Sequence, residues 1–424
     1  MKYNALKGIR DIFPPEIYSW QRVEQTARDI FSVNGFHELR APIIEATDVF
    51  VRSIGETTDI VEKEMYTFED KAGRRVTLRP EGTAPVVRCY VENHLYNLPP
   101  PQKFFYCGPM FRYERPQAGR FRQFYQIGAE AFGIDDPVID AEILAMINVL
   151  FEKLGLEDLN VEVNSIGCGQ CRPEYRVALV DFLSAKATDL CPDCRRRIDQ
   201  NPLRILDCKV EKCIRLRSGA PHVTDFLCGG CRGHFESLLE YLILLGIPHV
   251  VNPNMVRGLD YYTRTTFEVT CTHLGAQNAV AAGGRYDRLV EDFGGPPTPA
   301  IGFAIGMERI TSLLRSSGQD MTPVPCLFIA TLGSSAEKEG AVLAAQIRNK
   351  GIWVETGYSG TSLKSQMRKA DRLSAQYVLI IGDNEISSGK MKCKRLSDGT
   401  QEELLFENVV ERFSRLACKN KEIR

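Results

Sequence analysis

The apolar positions of this chain change their period repeatedly, and each change marks an element. From Trp20, WQRVEQTARDIFSVNGF repeats its apolar residues at helical spacing and stops at Gly35, which predicts an amphipathic helix. FHELRAPIIEATDVF predicts a strand interrupted by Pro42, which has no N–H for a ladder and belongs at a sheet edge or strand start. TLRPEGTAPVVRCYVEN reads as an apolar strand that ends in Arg79-Pro80-Glu81-Gly82-Thr83 and passes into a helix. Between Phe104 and Phe132 two alternating runs flank a polar loop, Arg115 to Arg122, with a glycine near its tip. That pattern predicts an antiparallel hairpin. Symmetry about Gly119 sets Arg112 opposite Gln126 and Glu114 opposite Phe124. Strand alternation then puts Phe124, Gln126 and Glu130 on one face, and Tyr125, Ile127 and Ala129 on a core face.

Helical spacing returns in DAEILAMINVLFEKLGL, followed by the strand LNVEVNSIG, and again in HFESLLEYLILLGI. RGLDYY, Arg257 to Tyr262, precedes the strand TRTTFEVTC. AIGFAIGMERITSLL reads as a glycine-bearing strand running into a helix, and glycines there imply the close approach of a backbone or a ligand. SSGQDMTPVP, residues 316–325, reads as a linker. Beyond it strand and helix patterns alternate as β-α-β-α-β, which predicts a parallel sheet flanked by helices over residues 325–424.

At 424 residues the chain exceeds one ordinary core, so two or three domains are expected. With 44% apolar and 25% charged residues it has the composition of a soluble globular protein. No apolar run reaches membrane-spanning length and the N-terminus has no signal-peptide core, so the cytoplasm is the expected compartment. A net charge of −1 gives no global attraction to nucleic acid. The charge is nevertheless uneven, +4 over residues 325–424 and −5 over the rest, and Lys364, Arg368, Lys369 and Arg372 cluster on one predicted helix.

Several groups carry candidate chemistry. The hairpin face presents an arginine, an amide, a carboxylate and an aromatic ring, a set suited to a ligand, and Arg115, Arg120 and Arg122 add charge suited to a polyphosphate. Glu81 and Thr83 stand at a strand-to-helix turn, where they either cap the helix or contact a ligand, or do both. Arg257 beside a glycine supplies a cation, with phenolic hydroxyls from Tyr261 and Tyr262. Eight of the fourteen cysteines fall in residues 168–231, as Cys168 and Cys171, Cys191 and Cys194, Cys208 and Cys213, Cys228 and Cys231. This spacing suits one or two structural zinc sites, with metal replacing a core that the region's few large apolar residues would not build. The alternative is reduced cysteine without metal.

FRYERPQAGRFRQFYQIGAE resembles the second signature motif of class II aminoacyl-tRNA synthetases, in the form of the histidyl-tRNA synthetase family. RGLDYY is similar to that family's most discriminating segment, the stretch after Gly35 to its first motif, and AIGFAIGMERITSLL to its third. The resemblance covers nearly the whole chain in family order. It implies an α+β catalytic domain built on an antiparallel sheet over residues 1–322, an inserted Cys-rich subdomain at about 168–231, and a C-terminal α/β anticodon-binding domain over 325–424. It implies ATP-dependent activation of L-histidine and transfer to tRNA(His), Mg²⁺ on the phosphates, and a homodimer. By the same resemblance Arg112 and Arg257 stabilise the α-phosphate. Glu81, Gly82, Thr83, Gln126, Glu130, Tyr261 and Tyr262 hold histidine. Arg112, Glu114, Arg120, Phe124 and Arg309 bind ATP. Known members do not generally use zinc for catalysis, so any zinc here is structural. The alternative is a non-catalytic regulatory subunit of ATP phosphoribosyltransferase. Such subunits typically lack the C-terminal domain and degrade the RGLDYY segment, both of which this chain has.

Overall fold

The structure is a computed structural model. It describes residues 3–55, 58–116, 119–274, 278–316, 318, 322–358 and 360–421, with the side chains of 417–421 excepted. The chain divides into two units, Met1–Asp320 and Met321–Arg424. Of the expected linker, Ser316 is the last residue of a helix, residues 317 and 319–321 lie outside the described residues, and 322–325 form neither helix nor strand.

The first unit is organised round an eight-stranded sheet. Its strands are β1 (His37–Glu38), β2 (Gln102–Phe111), β3 (Gln123–Phe132), β4 (Leu159–Ser165), β5 (His249–Val251), β6 (Thr263–Cys271), β7 (Ala279–Arg285) and β8 (Ala300–Gly306). They lie in the order β1-β2-β3-β8-β7-β6-β4-β5, antiparallel throughout except for the parallel edge pairs β1–β2 and β4–β5. One face is apolar and covered by helices. α1 (Glu16–Val33) buries Trp20, Val23, Ala27, Ile30 and Phe31 at three- and four-residue spacing. Phe31 packs on Phe105 and Phe303, with ring centroids 5.2 and 6.1 Å away. Each large side chain fully buried in this way contributes about 1.5–3 kcal/mol, so the stripe holds the helix on the sheet.

The hairpin forms, but its register differs from the symmetric expectation. Gly108 pairs with Gln126 and Phe111 with Gln123, and the Arg112 N–H donates to the Arg122 carbonyl. Arg112 therefore faces Arg122 rather than Gln126, and Glu114 pairs with Arg120 at 3.1 Å rather than with Phe124. The pairing is therefore centred before Gly119, and residues 117–118 lie outside the described residues. Both arms are held by distant backbone, since Tyr113 N–H donates to the Glu64 carbonyl and Arg122 N–H to the Gly8 carbonyl. The shift is an even number of residues, so every side chain keeps its predicted face.

The segment around Pro42 is not one interrupted strand. His37–Glu38 joins the large sheet, Ile44–Ala46 joins a separate three-stranded sheet, and Thr47–Ile54 is a helix. Pro42 lies between them, and the Ala41 carbonyl accepts a 2.9 Å bond from Arg79 instead of a ladder bond. α2 (Thr83–Glu92) follows the strand at 75–78. α3 (Val138–Lys153) covers the apolar face, and the insertion leaves the sheet after β4. It contains α4 (Arg172–Ser184), α5 (Pro192–Gln200) and α6 (Glu211–Leu216) before α7 (Gly229–Leu244) returns. Contrary to the compositional expectation, the insertion builds an apolar core of its own from Tyr175, Leu179, Leu183, Leu190 and Ile205 together with three of its cysteines. α8 (Met307–Ser316) follows β8 directly.

In the second unit, β9 (Leu327–Thr331), β10 (Val354–Thr356) and β11 (Tyr377–Ile381) are parallel, as the alternating pattern predicts. The sheet is mixed rather than parallel, because β12 (Lys390–Arg395) and β13 (Gln401–Leu405) extend it antiparallel. The tight turn between β12 and β13, which Asp398 stabilises by accepting the Thr400 N–H at 3.0 Å, produces a hairpin where a further crossover helix would keep the strands parallel. α9 (Ser334–Arg348) and the last helix, α11 (Phe406–Lys421), cover one face, and α10 (Leu363–Arg372) covers the other.

Candidate active site

The other face of the large sheet, walled by α2 and the tyrosines at 261–262, is a trough, and strand register shows why. One row across the sheet runs Glu130, Gly302, Gly284, Thr266, and the next runs Tyr106, Gly128, Ala304, Ala282, Glu268. A third brings Gly108, Gln126 and Gly306 together. Small residues form the floor, and polar side chains rise from it. Two glycines are required by close approach. A Cβ at Gly302 would overlap the Glu130 carboxylate, and one at Gly128 would overlap the Tyr106 hydroxyl.

Glu130 is fully buried. Tyr286 donates to one of its oxygens at 2.6 Å and Thr83 to the other at 2.7 Å. Burial pushes its carboxyl up to about 8, against the two hydrogen bonds, and neighbouring Glu81 adds to the rise. Glu81 is also buried, and burial raises its pKa. Its oxygens accept the Thr83 and Ala84 N–H groups at 2.7 and 2.8 Å, so Glu81 caps α2. Thr83, the expected cap, is instead the first helical residue and turns its hydroxyl to Glu130. Gly82 stands at this turn because a Cβ there would strike the Tyr106 ring. Tyr261 and Tyr262 pack against each other with centroids 4.7 Å apart, and Tyr261 meets Tyr286 edge-on at 5.7 Å. Burial pushes the Tyr262 hydroxyl up to about 12.

The basic residues gather round the same trough. Arg257 pairs with Glu268 at 3.1 Å. Burial is the largest single effect and works against its charge, but Glu268, Tyr262 and Asp207 together leave its pKa raised. Arg112 donates to the Pro80 carbonyl at 2.8 Å and lies over the Phe124 ring, 5.2 Å from its centroid. Arg309, early in α8, donates to the Ala279 carbonyl. Burial first, and then the charge of Arg120, hold its pKa below the ordinary value. Two cavities border these cations. One of 560 Å³ is lined by Arg172, Arg204, Arg257, Asp260 and Arg288, the other of 620 Å³ by Gly119, Arg309, Arg10 and Arg315. The first has an excess of cations that suits an anionic ligand, whereas in the second Glu16 pairs with Arg10 and Arg315.

Among the described residues, Gln126 Oε1, Thr266 Oγ1 and Arg257 Nε are buried polar atoms without a hydrogen-bond partner. Such atoms are costly unless a ligand completes them. The structure thus brings Glu81, Thr83, Gln126, Glu130, Tyr261 and Tyr262 together, with Arg112, Glu114, Arg120 and Phe124 on the hairpin and Arg257 and Arg309 at the trough's other borders. The cysteines stand apart, at the neck of the insertion and inside it. Sequence reasoning missed the roles of Tyr286, which holds Glu130, and of Glu268, which holds Arg257. The signal for Glu268 was a carboxylate inside the apolar strand TRTTFEVTC. No local pattern indicated Arg172, Asn201 and Arg204, which contact the 257–262 segment from the insertion.

A sheet that presents buried carboxylates and ringed arginines over a glycine floor, joined in one chain to a separate α/β unit, is the arrangement of a class II aminoacyl-tRNA synthetase. The match to known families is more specific. Residues 8–310 match the family model for histidyl-tRNA synthetase, and residues 327–416 match that for an anticodon binding domain. A histidine–tRNA ligase of Thermodesulfovibrio yellowstonii is 54% identical over 98% of this chain and 99% of its own length. One from Trichlorobacter lovleyi is 53% identical over 96% of this chain and 97% of its own. The apo histidyl-tRNA synthetase of S. aureus superposes with a TM-score of 0.83 at 37% identity, covering 97% of this chain and all of that one. This chain belongs to the histidyl-tRNA synthetase family.

Proposed function

We propose that this chain activates L-histidine with ATP and transfers it to the 3′ end of tRNA(His). The observation that carries the reading is the pair of buried carboxylates, Glu81 and Glu130, each with its pKa raised by burial. Histidine offers two complements, an α-ammonium and an imidazole N–H, and each relieves the cost of one buried carboxylate. Glu81 and Thr83 receive the ammonium, and Gln126 helps to orient the backbone groups. Glu130 and a tyrosine of the 261–262 pair bond the two imidazole nitrogens. A pocket that must satisfy both nitrogens rejects amino acids without them, because its own polar groups would stay unpaired.

In the first step a carboxylate oxygen of histidine attacks the α-phosphorus, and the bond to pyrophosphate breaks. In the second, the terminal ribose hydroxyl of tRNA attacks the carbonyl carbon and AMP leaves. No protein nucleophile is needed, so the chain acts by positioning and by stabilising charge. Arg112 and Arg257 act on the α-phosphate, Arg120 and Arg309 on the distal phosphates, and Phe124 stacks on adenine. The carboxylates among these cations, Glu114 and Glu268, are hard oxygen donors that suit Mg²⁺, which when bound offsets phosphate charge. Zinc on the insertion's cysteines stands outside this chemistry.

In the second unit Lys364, Arg368 and Arg372 are exposed at four-residue spacing on α10, and we assign that face to tRNA. The functional state is a cytoplasmic homodimer, supported by the exposed Ile43 and Ile44 on the segment that resembles the family's dimerisation motif. No helix among the described residues is long and apolar enough to cross a membrane. The regulatory-subunit alternative is disfavoured, because RGLDYY and the C-terminal unit are both present and the ligase relatives align over nearly their full length.

The test is exchange of labelled pyrophosphate into ATP. Exchange with histidine and with no other amino acid is expected. Its absence in folded protein would return the weight to the regulatory alternative.

A further inference from the structure

Eight cysteines of the insertion form two quartets, and in each the four sulfurs lie within 4.8 Å of one another. Cys168, Cys171, Cys228 and Cys231 meet at the neck, where the chain leaves β4 and re-enters through α7. Cys191, Cys194, Cys208 and Cys213 meet inside the insertion. Sulfur separations are 3.7 Å for Cys168–Cys171 and 4.0 Å for Cys168–Cys228 and Cys191–Cys208. A disulfide requires about 2.05 Å. Four thiolates about 2.3 Å from a central Zn²⁺ stand roughly 3.8 Å apart along each tetrahedral edge, which the 3.7–4.0 Å pairs match, and every other pair lies within 4.8 Å.

Backbone N–H groups also point at the sulfurs. Cys228 N–H donates to Cys171 at 3.2 Å, Gln170 to Cys168 at 3.4 Å, Cys191 to Cys213 at 3.3 Å and Cys194 to Cys191 at 3.4 Å. Such donors stabilise thiolate ligands from outside the metal shell. At the neck Gly167 has φ +65°, and a Cβ there would collide with Cys171, so the backbone leaves room for the quartet to close.

We propose that each quartet holds a structural Zn²⁺, and that the two ions brace the Arg257–Tyr262 segment from opposite ends. The bracing rests on the reading of that segment as a wall of the histidine pocket. From the neck, Arg172 follows Cys171 directly and donates to the Tyr262 carbonyl. From the inner quartet, the turn between Cys194 and Cys208 carries Asn201 and Arg204. Asn201 donates to Asp260 at 3.1 Å, and Arg204 donates to the Arg257 carbonyl at 3.1 Å. Arg172, Asn201 and Arg204 are positioning residues. Their hydrogen bonds go to the segment's backbone and to Asp260. Loss of either ion releases one end of the segment.

The first readout is the metal content of the full-length protein, where two zinc ions per chain are expected. Protein grown with cobalt should show the visible bands of tetrahedral cobalt thiolate. Cys194→Ser with Cys208→Ser should retain one zinc, raise the KM for histidine in pyrophosphate exchange roughly tenfold and, because the released end carries Arg257, lower kcat as well. Because cysteine variants can fail to fold, Asn201→Ala with Arg204→Ala provides an independent arm. It should keep both zinc ions and show the same KM rise. Metal-free native protein with eight titratable thiols in the insertion would overturn the sites. Two zinc ions with an unchanged histidine KM in the Asn201/Arg204 variant would overturn the bracing. Two zinc ions in a protein that activates no amino acid would uphold the sites and sink the ligase reading instead.

Discussion

Glu130 is fully buried, accepts hydrogen bonds from Tyr286 and Thr83, and keeps its proton up to about 8, against an ordinary value of 4.5. The folded empty protein therefore binds a proton there that the unfolded chain has released. Stability from this group falls as pH rises from about 4.5 through about 8, and then levels off. Glu130→Gln removes the titration. Its melting temperature should exceed that of the parent by roughly 5 °C at pH 9 and match it near pH 4, while its histidine KM rises by about a hundredfold. A melting curve across pH that keeps the parental slope would refute the assignment. At Gly302 the prediction is steric. Gly302→Ala places a methyl group on the Glu130 carboxylate and should cost about 1–3 kcal/mol in urea unfolding, with histidine activation lost before folding is. The sequence showed both residues as members of the site region, an acid on the hairpin's ligand face and a glycine in a strand. Their contact was invisible, because it depends on β3 and β8 pairing with Glu130 directly opposite Gly302.

At the scale of elements, patterns with a local cause were legible and those with a distant cause were not. Strand alternation placed Phe124, Gln126 and Glu130 on one face, and that survived a misplaced register because the error was even. The loop's two arms are tied to backbone far away in the chain, at Gly8 and Glu64, contacts that no local pattern shows. The turn at 79–83 shows the same division. A cap was expected there, but Glu81 supplies it and frees Thr83 to reach across to Glu130. Glu81→Ala should thus destabilise α2 by about 1 kcal/mol and weaken histidine binding together. Glu81→Gln separates the effects, since a side-chain amide oxygen still accepts the N–H bonds but carries no charge for an ammonium. Denaturation midpoints near parental, with a histidine KM raised at least about tenfold, are expected for it. Equal loss in both measurements would mean that Glu81 is only a cap.

For the whole molecule, the chain's two units separate two tasks, and their charges differ accordingly, with +4 over residues 325–424 and −5 over the remainder. Protein ending at residue 320 should retain histidine-dependent pyrophosphate exchange within about threefold and lose most of its tRNA charging, because phosphate contacts supply much of the affinity for RNA. Reversing charge on α10 with Lys364→Glu, Arg368→Glu and Arg372→Glu should likewise spare exchange and reduce charging, more strongly at low salt. Charging unchanged by the triple reversal would remove that face from tRNA contact.

By itself the sequence determined the periodicities, and with them most of the elements, the alternation of faces on the hairpin, the β-α-β-α-β start of the second unit and the motifs that carry the family resemblance. These depend on neighbours along the chain, where geometry is constrained by helix and strand repeats. The tertiary structure alone decided the hairpin register, the antiparallel close of the second sheet, the capping role of Glu81 and the partners of Glu130 and Arg257. It also decided which cysteines meet. Spacing suggested pairs, but the quartets join Cys171 to Cys228 and Cys194 to Cys208 and Cys213, across intervals that only the folded insertion closes. Each of these contacts joins residues far apart in the chain, and no local preference encodes such a meeting.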